Sequence, residues 1–370
     1  MVVCRVGSLG LRVQSKVQVE MPVSVVVGGQ YGSEGKGKVA LHIAQATDAA
    51  AVVRVGGPNS GHTGVDDQGR SWIFRQLPAS CLSRNALVIL PAGSLIDPEI
   101  LRREIEQVQL DEKRLFIDCR ATVVSPAHRR SESDEGIVES IGSTGSGTGA
   151  ALRERLSRRT DHRLAADDAY LKKFTHPFIP DLLRPLLNRG RRIVIEGTQG
   201  FGLSIWHGPV FPNATSRDTT AANFVAETGL APHDVDDVVL AIRSFPIRVG
   251  GNSGPLQNEI DWPTLASEAR LRPDHVELTS ATKRVRRVAR FHAGIVKQAI
   301  VVNRPHRVVM NHLDYVDPDV KSGVLSPKAI RFLVDVEQAI ERKIDLVGVS
   351  PGSLVETKIS MAPRNFLDAN

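Results

Sequence analysis

The sequence predicts an α/β fold: a single large domain with a mostly parallel central sheet, flanking helices and long loops. Three observations carry that expectation. Short β-branched runs alternate with longer helical patterns along the chain. Several of the runs are apolar throughout, as expected of strands buried on both faces of a sheet. No internal repeat and no Pro/Ser-rich linker divides the 370 residues. In chain order, a strand is expected at Val23–Val27, followed by a Gly-rich loop and a helix at Lys36–Gln45. Strands at Ala51–Val55 and Leu87–Leu90 precede a helix at Pro98–Val108, and Leu115–Ile117 is the next strand. A helix at Pro180–Asn188 leads into a strand at Arg192–Ile195, and one at Thr219–Glu227 into Val238–Ile242. The last units pair a helix at Phe291–Asn303 with a strand at Val308–Met310, and a helix at Pro327–Arg342 with a strand at Leu346–Val349. Residues 1–21 carry scattered charge and no continuous apolar stretch, so no secretory signal is expected. They read as a short N-terminal extension before a domain spanning 22–370.

Composition narrows the functional class. Hydrophobic residues at 41% and charged residues at 24% exclude wholesale disorder, and 31 Gly with 21 Pro exclude a collagen-like or low-complexity chain. No apolar run reaches the roughly 18–20 residues that cross a bilayer, so no membrane partner is expected. Cys4, Cys81 and Cys119 are odd in number and widely spaced, which makes neither a disulfide framework nor a zinc site. A reducing, cytoplasmic setting follows as the expectation. Lys plus Arg at 47 against Asp plus Glu at 41 gives a net charge of +6, which suits anionic small molecules. Aromatic residues, at 5%, offer little for stacking bases, so a nucleic acid is not the expected partner.

The most informative stretch is VVVGGQYGSEGKGKVA, in which the first strand runs into Gly28 and Gly29 and ends at a helix. Glycines let the backbone approach a ligand without a Cβ clash. A helix start supplies unpaired N–H groups and a positive dipole end, and Lys36 and Lys38 add charge. The direct reading is a phosphate cradle. Gly32-x4-Gly37-Lys38 has the spacing of a Walker A loop, but Val39 stands where the Mg²⁺-binding Ser or Thr belongs.

The loop GGQYGSEGKGK resembles the GGQWGDEGKGK signature of adenylosuccinate synthetases, which join aspartate to the 6-oxo position of IMP using GTP. The resemblance continues in order from about Val23 to Ile359. Gly56–Thr63 (GGPNSGHT) and Ile141–Gly149 (IGSTGSGTG) resemble two family loops, with Arg158 and Arg159 at the family's spacing. Glu196–Gly200 (EGTQG) resembles EGAQG, with His207-Gly208 and Thr215-Ser216 downstream. Thr279–Arg287 (TSATKRVRR) resembles the family's aspartate-binding loop, and Asn311–Asp314 (NHLD) its guanine-reading TKLD. The resemblance implies the family's fold.

One position departs from the pattern. Where Ser33 stands, the family has an aspartate that takes the purine N1 proton and helps to hold Mg²⁺. A neutral hydroxyl does neither well near pH 7, and losing a positioned general base costs about 10²–10⁴ in rate. Either the chain is a non-catalytic homologue or its substrate differs. The sequence around Ser33 is similar to a phage-associated branch that carries serine here and joins aspartate to dGMP, giving 2-amino-2′-deoxy-N6-succinyladenylate for 2-aminoadenine DNA. Guanine differs from hypoxanthine by an exocyclic amine beside N1, and serine in place of aspartate frees room for it. The short chain and the TSATKRVRR loop also resemble this branch and its archaeal relatives.

The resemblance implies a two-step reaction, phosphorylation of O6 followed by displacement at C6 by the aspartate amine, with Ser33, Lys36 and His62 as catalytic residues and His62 as general acid. The donor nucleotide would lie on Gly32, Glu34, Gly35, Gly37, Lys38, Gly61, Thr63, His312, Asp314 and Gly352. His312 in place of the family's lysine favours ATP or dATP over GTP. The monophosphate dGMP would meet Ser33, Asn59, Ser143, Thr144, Gln199, Leu203 and Thr215, with Arg158 reaching a neighbouring subunit of a homodimer. L-Aspartate would bind Thr282, Arg284 and Arg286, whose spacing on an extended loop lets both guanidinium groups face one ligand. Mg²⁺ would be held by donor phosphates with Ser33 and the Gly61 carbonyl. Arg287 and Arg290 read as surface charge.

Overall fold

Apolar side chains on both faces of the strands decide the core of this molecule. The computed structural model describes residues 22–279, 282–322 and 324–357. The expected extension at 1–21 lies outside the described residues, as do Ser280 and Ala281 of the TSATKRVRR loop. Ten strands form one sheet: β1 (Val23–Gly28), β2 (Ala51–Arg54), β3 (Leu87–Leu90), β4 (Leu115–Asp118), β5 (Thr175–His176), β6 (Ile193–Glu196), β7 (Val235–Arg243), β8 (Arg307–Asn311), β9 (Leu346–Ser350) and β10 (Ser353–Glu356). Their spatial order is β10-β9-β8-β7-β1-β6-β2-β3-β4-β5, and every pair is parallel except β9 with β10. All eight strands expected from the sequence are present, so the mostly parallel α/β sheet with flanking helices is borne out.

Successive residues of a strand face opposite sides, and the two cores follow that period. Val23, Val25, Val27, Ile193, Ile195, Leu240 and Ile242 pack into one layer. Val26, Val194, Val239 and Ala241 pack into the other, against Val39, Ala40, Ile43 and Ala44 of helix α1 (Lys36–Ala46). Cover on both faces is the reason these strands read as nearly continuous apolar runs.

The six expected helices form, Pro98–Val108 with the bounds expected and the others shifted at one or both ends. The helix expected from Thr219 begins at Ala221 because Thr220 is its N-cap, its Oγ1 accepting from Asn223 N at 3.4 Å. The helix expected from Phe291 begins at Ala293, capped by His292. The one expected to reach Arg342 stops at Ile340, where Glu341 turns left-handed at φ 56°. Elements the sequence pattern does not announce are short. They include the hairpin of His62–Val65 with Ser71–Phe74 and the helices Pro126–Asp134, Ile137–Ile141 and Thr148–Leu156. A small antiparallel sheet joins Ile247–Arg248, Arg287–Ala289 and Glu259–Ile260.

The parallel register places the carboxyl ends of β1, β2, β6, β7 and β8 along one edge, so the loops that leave them converge there. Ligands of open α/β sheets bind at that edge.

Candidate active site

The loop between β1 and α1 is built around a buried acid. Glu34 Oε1 accepts from Gln30 N at 3.1 Å and Gly32 N at 2.7 Å, and Oε2 accepts from Lys36 Nζ at 2.7 Å. A Cβ on Gly28 would lie 2.6 Å from that carboxylate, so glycine is required by close approach. Gly35 turns the chain into α1 at φ 82°. Asn311 at the end of β8 ties the loop down, its Nδ2 donating to Glu34 O at 2.7 Å. The Glu34 side chain is thus a brace within the loop, fully buried, and does not line the cavity as a donor-binding group.

A cavity of about 640 Å³ opens over this loop. Ser33, Gly35, Lys36, Gly37 and Lys38 line it from the β1–α1 loop, and Gly61, His62 and Thr63 from the hairpin. His312 and Asp314 close the far side. Gly32 and Gly352 fall outside the lining, although Ser350 and Pro351 belong to it. Lys38 donates to Ser350 O at 3.0 Å, and burial, opposed by Asp314, pushes its amine down to about 8. Burial and Arg243 drive the His312 imidazole well below its ordinary range, so that side chain is neutral where the family's lysine is charged.

His62 and Glu196 form a buried pair, Nδ1 to Oε1 at 2.6 Å, with the Arg54 guanidinium against both ring nitrogens and Nη1 3.0 Å from Nε2. Ala79 N and Ser80 N also donate to Glu196, at 3.0 and 3.2 Å. Burial and then Arg54 push the imidazole down to about 3, against the Glu196 hydrogen bond that favours its charged form. Burial raises Glu196, but the His62 hydrogen bond, the positive charge of Arg54 and the Ala79 amide outweigh it and bring the carboxyl to about 2. His62 is therefore a neutral imidazole at pH 7 in the free chain. The Arg54–Glu196 pair was not among the residues the sequence singles out, although EGTQG contains one member.

Ser33 sits in the left-handed region at φ 56°. Its Oγ accepts from Arg286 Nη1 at 2.6 Å, and its carbonyl accepts from Arg243 Nη1 at 3.2 Å. Arg243, wholly buried, grips Glu277 at 2.5 Å, and Tyr315 donates its hydroxyl to the same Oε1 at 3.0 Å. Burial alone would raise the Glu277 carboxyl, yet Arg243 holds it well below the usual carboxylate range. Arg243, Glu277, Tyr315 and His275 line the cavity and carry no motif of their own. Of the expected aspartate-binding set, only Arg286 lines the cavity. Thr282 Oγ1 bonds Thr279 Oγ1 at 2.6 Å, and Arg284 is exposed. Lys283 is left-handed at φ 55°, and of the two arginines expected to face one ligand only Arg286 reaches the cavity lining. Arg290 is exposed and pairs with Glu268, whereas Arg287, expected as surface charge, is half-buried, pairing with Glu259 and donating to Gly254 O at 2.6 Å.

A second cavity of about 310 Å³ adjoins the loop on the side of Tyr31, whose ring lies 4.5 Å beneath the Arg248 guanidinium. Asn59, Ser143, Thr144, Gln199, Leu203 and Thr215 all line it. Its floor is braced by Glu132, which accepts from Gly147 N and Gly149 N, each at 2.7 Å. Arg158 stays exposed at the end of the Thr148–Leu156 helix, away from this cavity.

The family model of adenylosuccinate synthetase matches residues 25–176 and 168–321. Adenylosuccinate synthetases of Methanococcus vannielii and Archaeoglobus fulgidus are 34% and 31% identical, each over 90% of this chain and over 97% and 96% of theirs. The chain belongs to the adenylosuccinate synthetase family. Among solved structures, the succinoaminodeoxyadenylate synthetase of cyanophage S-2L, bound to dGMP and to dATP as an energy donor, is 30% identical with a TM-score of 0.76, over 91% of this chain and 95% of that one. Adenylosuccinate synthetase of Plasmodium falciparum, at 19% identity and a TM-score of 0.76 over 91% and 100%, shares the fold. The family's chemistry is nucleotide-dependent carbon–nitrogen ligation, on small-molecule nucleotides and aspartate. Among the described residues, no helix is long and apolar enough to cross a membrane.

Proposed function

We propose that this adenylosuccinate synthetase family member joins L-aspartate to C6 of dGMP, with ATP or dATP hydrolysed to its diphosphate and phosphate. The observation that carries the reading is Ser33, a neutral hydroxyl on the inward-facing loop between the two cavities, in place of the acid that relatives use on IMP. The cyanophage synthetase, bound to dGMP and dATP, supports the same choice.

The residues divide the work by charge. Asn59, Ser143, Thr144, Gln199, Leu203 and Thr215 hold the monophosphate in the smaller cavity. Lys36, Lys38 and the amides of Gly35 and Gly37 face the donor phosphates in the larger one. Phosphoryl transfer to O6 builds negative charge on oxygens, so fixed lysines and amides lower its barrier without reorganisation. His62 is neutral in the free chain. An arriving phosphoryl group would raise its pKa and make it the proton donor to the leaving oxygen. Arg286 receives an aspartate carboxylate, and Asp314 with neutral His312 reads the donor base.

Mg²⁺ fits one of its two expected ligands. Gly61 lines the cavity and its carbonyl accepts no hydrogen bond from a described residue, so it can serve a hard cation. Ser33 Oγ accepts from a guanidinium, which disfavours a metal on the same oxygen. When bound, the ion would supply positive charge against the donor phosphates. Arg158, exposed here, would complete the phosphate site of a neighbouring copy in a homodimer.

The test incubates the chain with aspartate and ATP and follows inorganic phosphate with IMP, GMP or dGMP. The reading expects dGMP to turn over fastest. A second reading, ordinary synthesis from IMP and GTP, is favoured by the archaeal relatives at 31–34% identity. Faster turnover of IMP decides for it.

A further inference from the structure

We propose that Ser33 sets the affinity for the amino-acid substrate as well as the choice of purine. It holds the Arg286 guanidinium through a neutral hydrogen bond and so leaves that positive charge free to bind a carboxylate. The inference rests on the reading of Arg286 as an aspartate-binding residue.

Arg286 is positioned by neutral acceptors on two sides. Nη1 donates to Ser33 Oγ at 2.6 Å and Nε to Leu278 O at 3.1 Å. Nη2 makes no hydrogen bond among the described residues, and the side chain lines the larger cavity. The carboxylate in salt-bridge range, Glu277, stands 3.9 Å away and is already gripped by Arg243 at 2.5 Å. The guanidinium is thus aimed but not neutralised. Desolvation of such a cation favours an anionic partner when one arrives.

An acid at position 33 would change that. At the same separation, its carboxylate would form a charge-assisted hydrogen bond roughly twice as strong as a neutral one. The aspartate substrate would then have to displace an internal competitor. Serine avoids the competition and keeps its own O–H free to donate toward the purine or the phosphoryl group. The side chain's direction is set by the backbone, left-handed at φ 56° and clamped by the Arg243 contact to Ser33 O. Asn and Asp tolerate that conformation, whereas β-branched Thr does not.

Ser33→Asn and Ser33→Asp therefore form an isosteric pair that differs in charge. The experiment measures KM for L-aspartate at saturating purine and donor, using whichever purine turns over. It also measures by calorimetry the affinity for succinate, a dicarboxylate that cannot react. Ser33→Asp is expected to weaken both by about tenfold relative to Ser33→Asn, the factor that ~1.4 kcal/mol carries, with Ser33→Asn within about threefold of the parent. Equal constants for the two variants overturn the proposal. Arg286→Gln is the separate control. If it leaves succinate affinity unchanged, Arg286 is not at the amino-acid site, and the underlying reading fails with the inference. If it weakens succinate while the Asn and Asp variants agree, the inference alone fails.

Discussion

The group of Arg54, His62 and Glu196 makes the site sensitive to acid. His62 titrates near 3 when folded against about 6.5 unfolded, and Glu196 near 2 against about 4.5. Both bind protons more readily in the unfolded chain, so both favour the folded state at neutral pH and lose that contribution on acidification. The His62 contribution fades as pH falls from about 6.5 towards 3, and that of Glu196 from about 4.5 towards 2. Denaturant midpoints measured from pH 7 to pH 4 are expected to fall, and His62→Gln to flatten the decline between pH 6.5 and 5. An unchanged slope in that variant places the acid sensitivity elsewhere. The importance of position 33 was legible in the sequence because it breaks a motif. Arg243, Glu277 and Tyr315 were not legible, since no local pattern announces residues 210 to 282 positions further along that only the sheet order brings to Ser33.

Among the elements, the long apolar strands could be read from composition alone because cover on both faces leaves them no polar side. The segment from Pro126 to Leu156 could not. Its helices are short, and a buried acid on the first holds the start of the last. Glu132 satisfies the Gly147, Gly149 and Ala150 amides at the start of the last helix, which is where that helix has no partners of its own. Ser143 and Thr144, just before it, line the smaller cavity. Glu132→Gln replaces an acceptor by a donor facing an amide and is expected to cost about 1–3 kcal/mol of stability. Hydrogen exchange should quicken at residues 143–150 in the same variant. Unchanged exchange there would remove Glu132 as the brace of this loop. Gly197 makes a parallel case, since a Cβ there would lie 2.3 Å from the Phe224 ring and 2.5 Å from Val26 O. Gly197→Ala is expected to lower the thermal midpoint through overpacking of about 1–3 kcal/mol.

At the scale of the whole molecule, the parallel sheet gathers two cavities on one edge with the β1–α1 loop between them, Tyr31 facing one and Ser33 the other. That arrangement suits the proposed reaction, in which O6 is phosphorylated and an amine then displaces the phosphate at C6. The exposed Arg158 belongs to this scale too. Inactive Arg158→Ala and Lys36→Ala chains, mixed, are expected to regain activity that neither shows alone, because a shared site can combine one intact residue from each. Absence of recovery would mean that each copy works unaided. Equimolar dGMP and IMP, offered together with aspartate and ATP, compete for the same enzyme, and mass spectrometry of the succinyl products gives the ratio of their kcat/KM values directly. The account expects the product of dGMP to predominate; a mixture dominated by the product of IMP would contradict it.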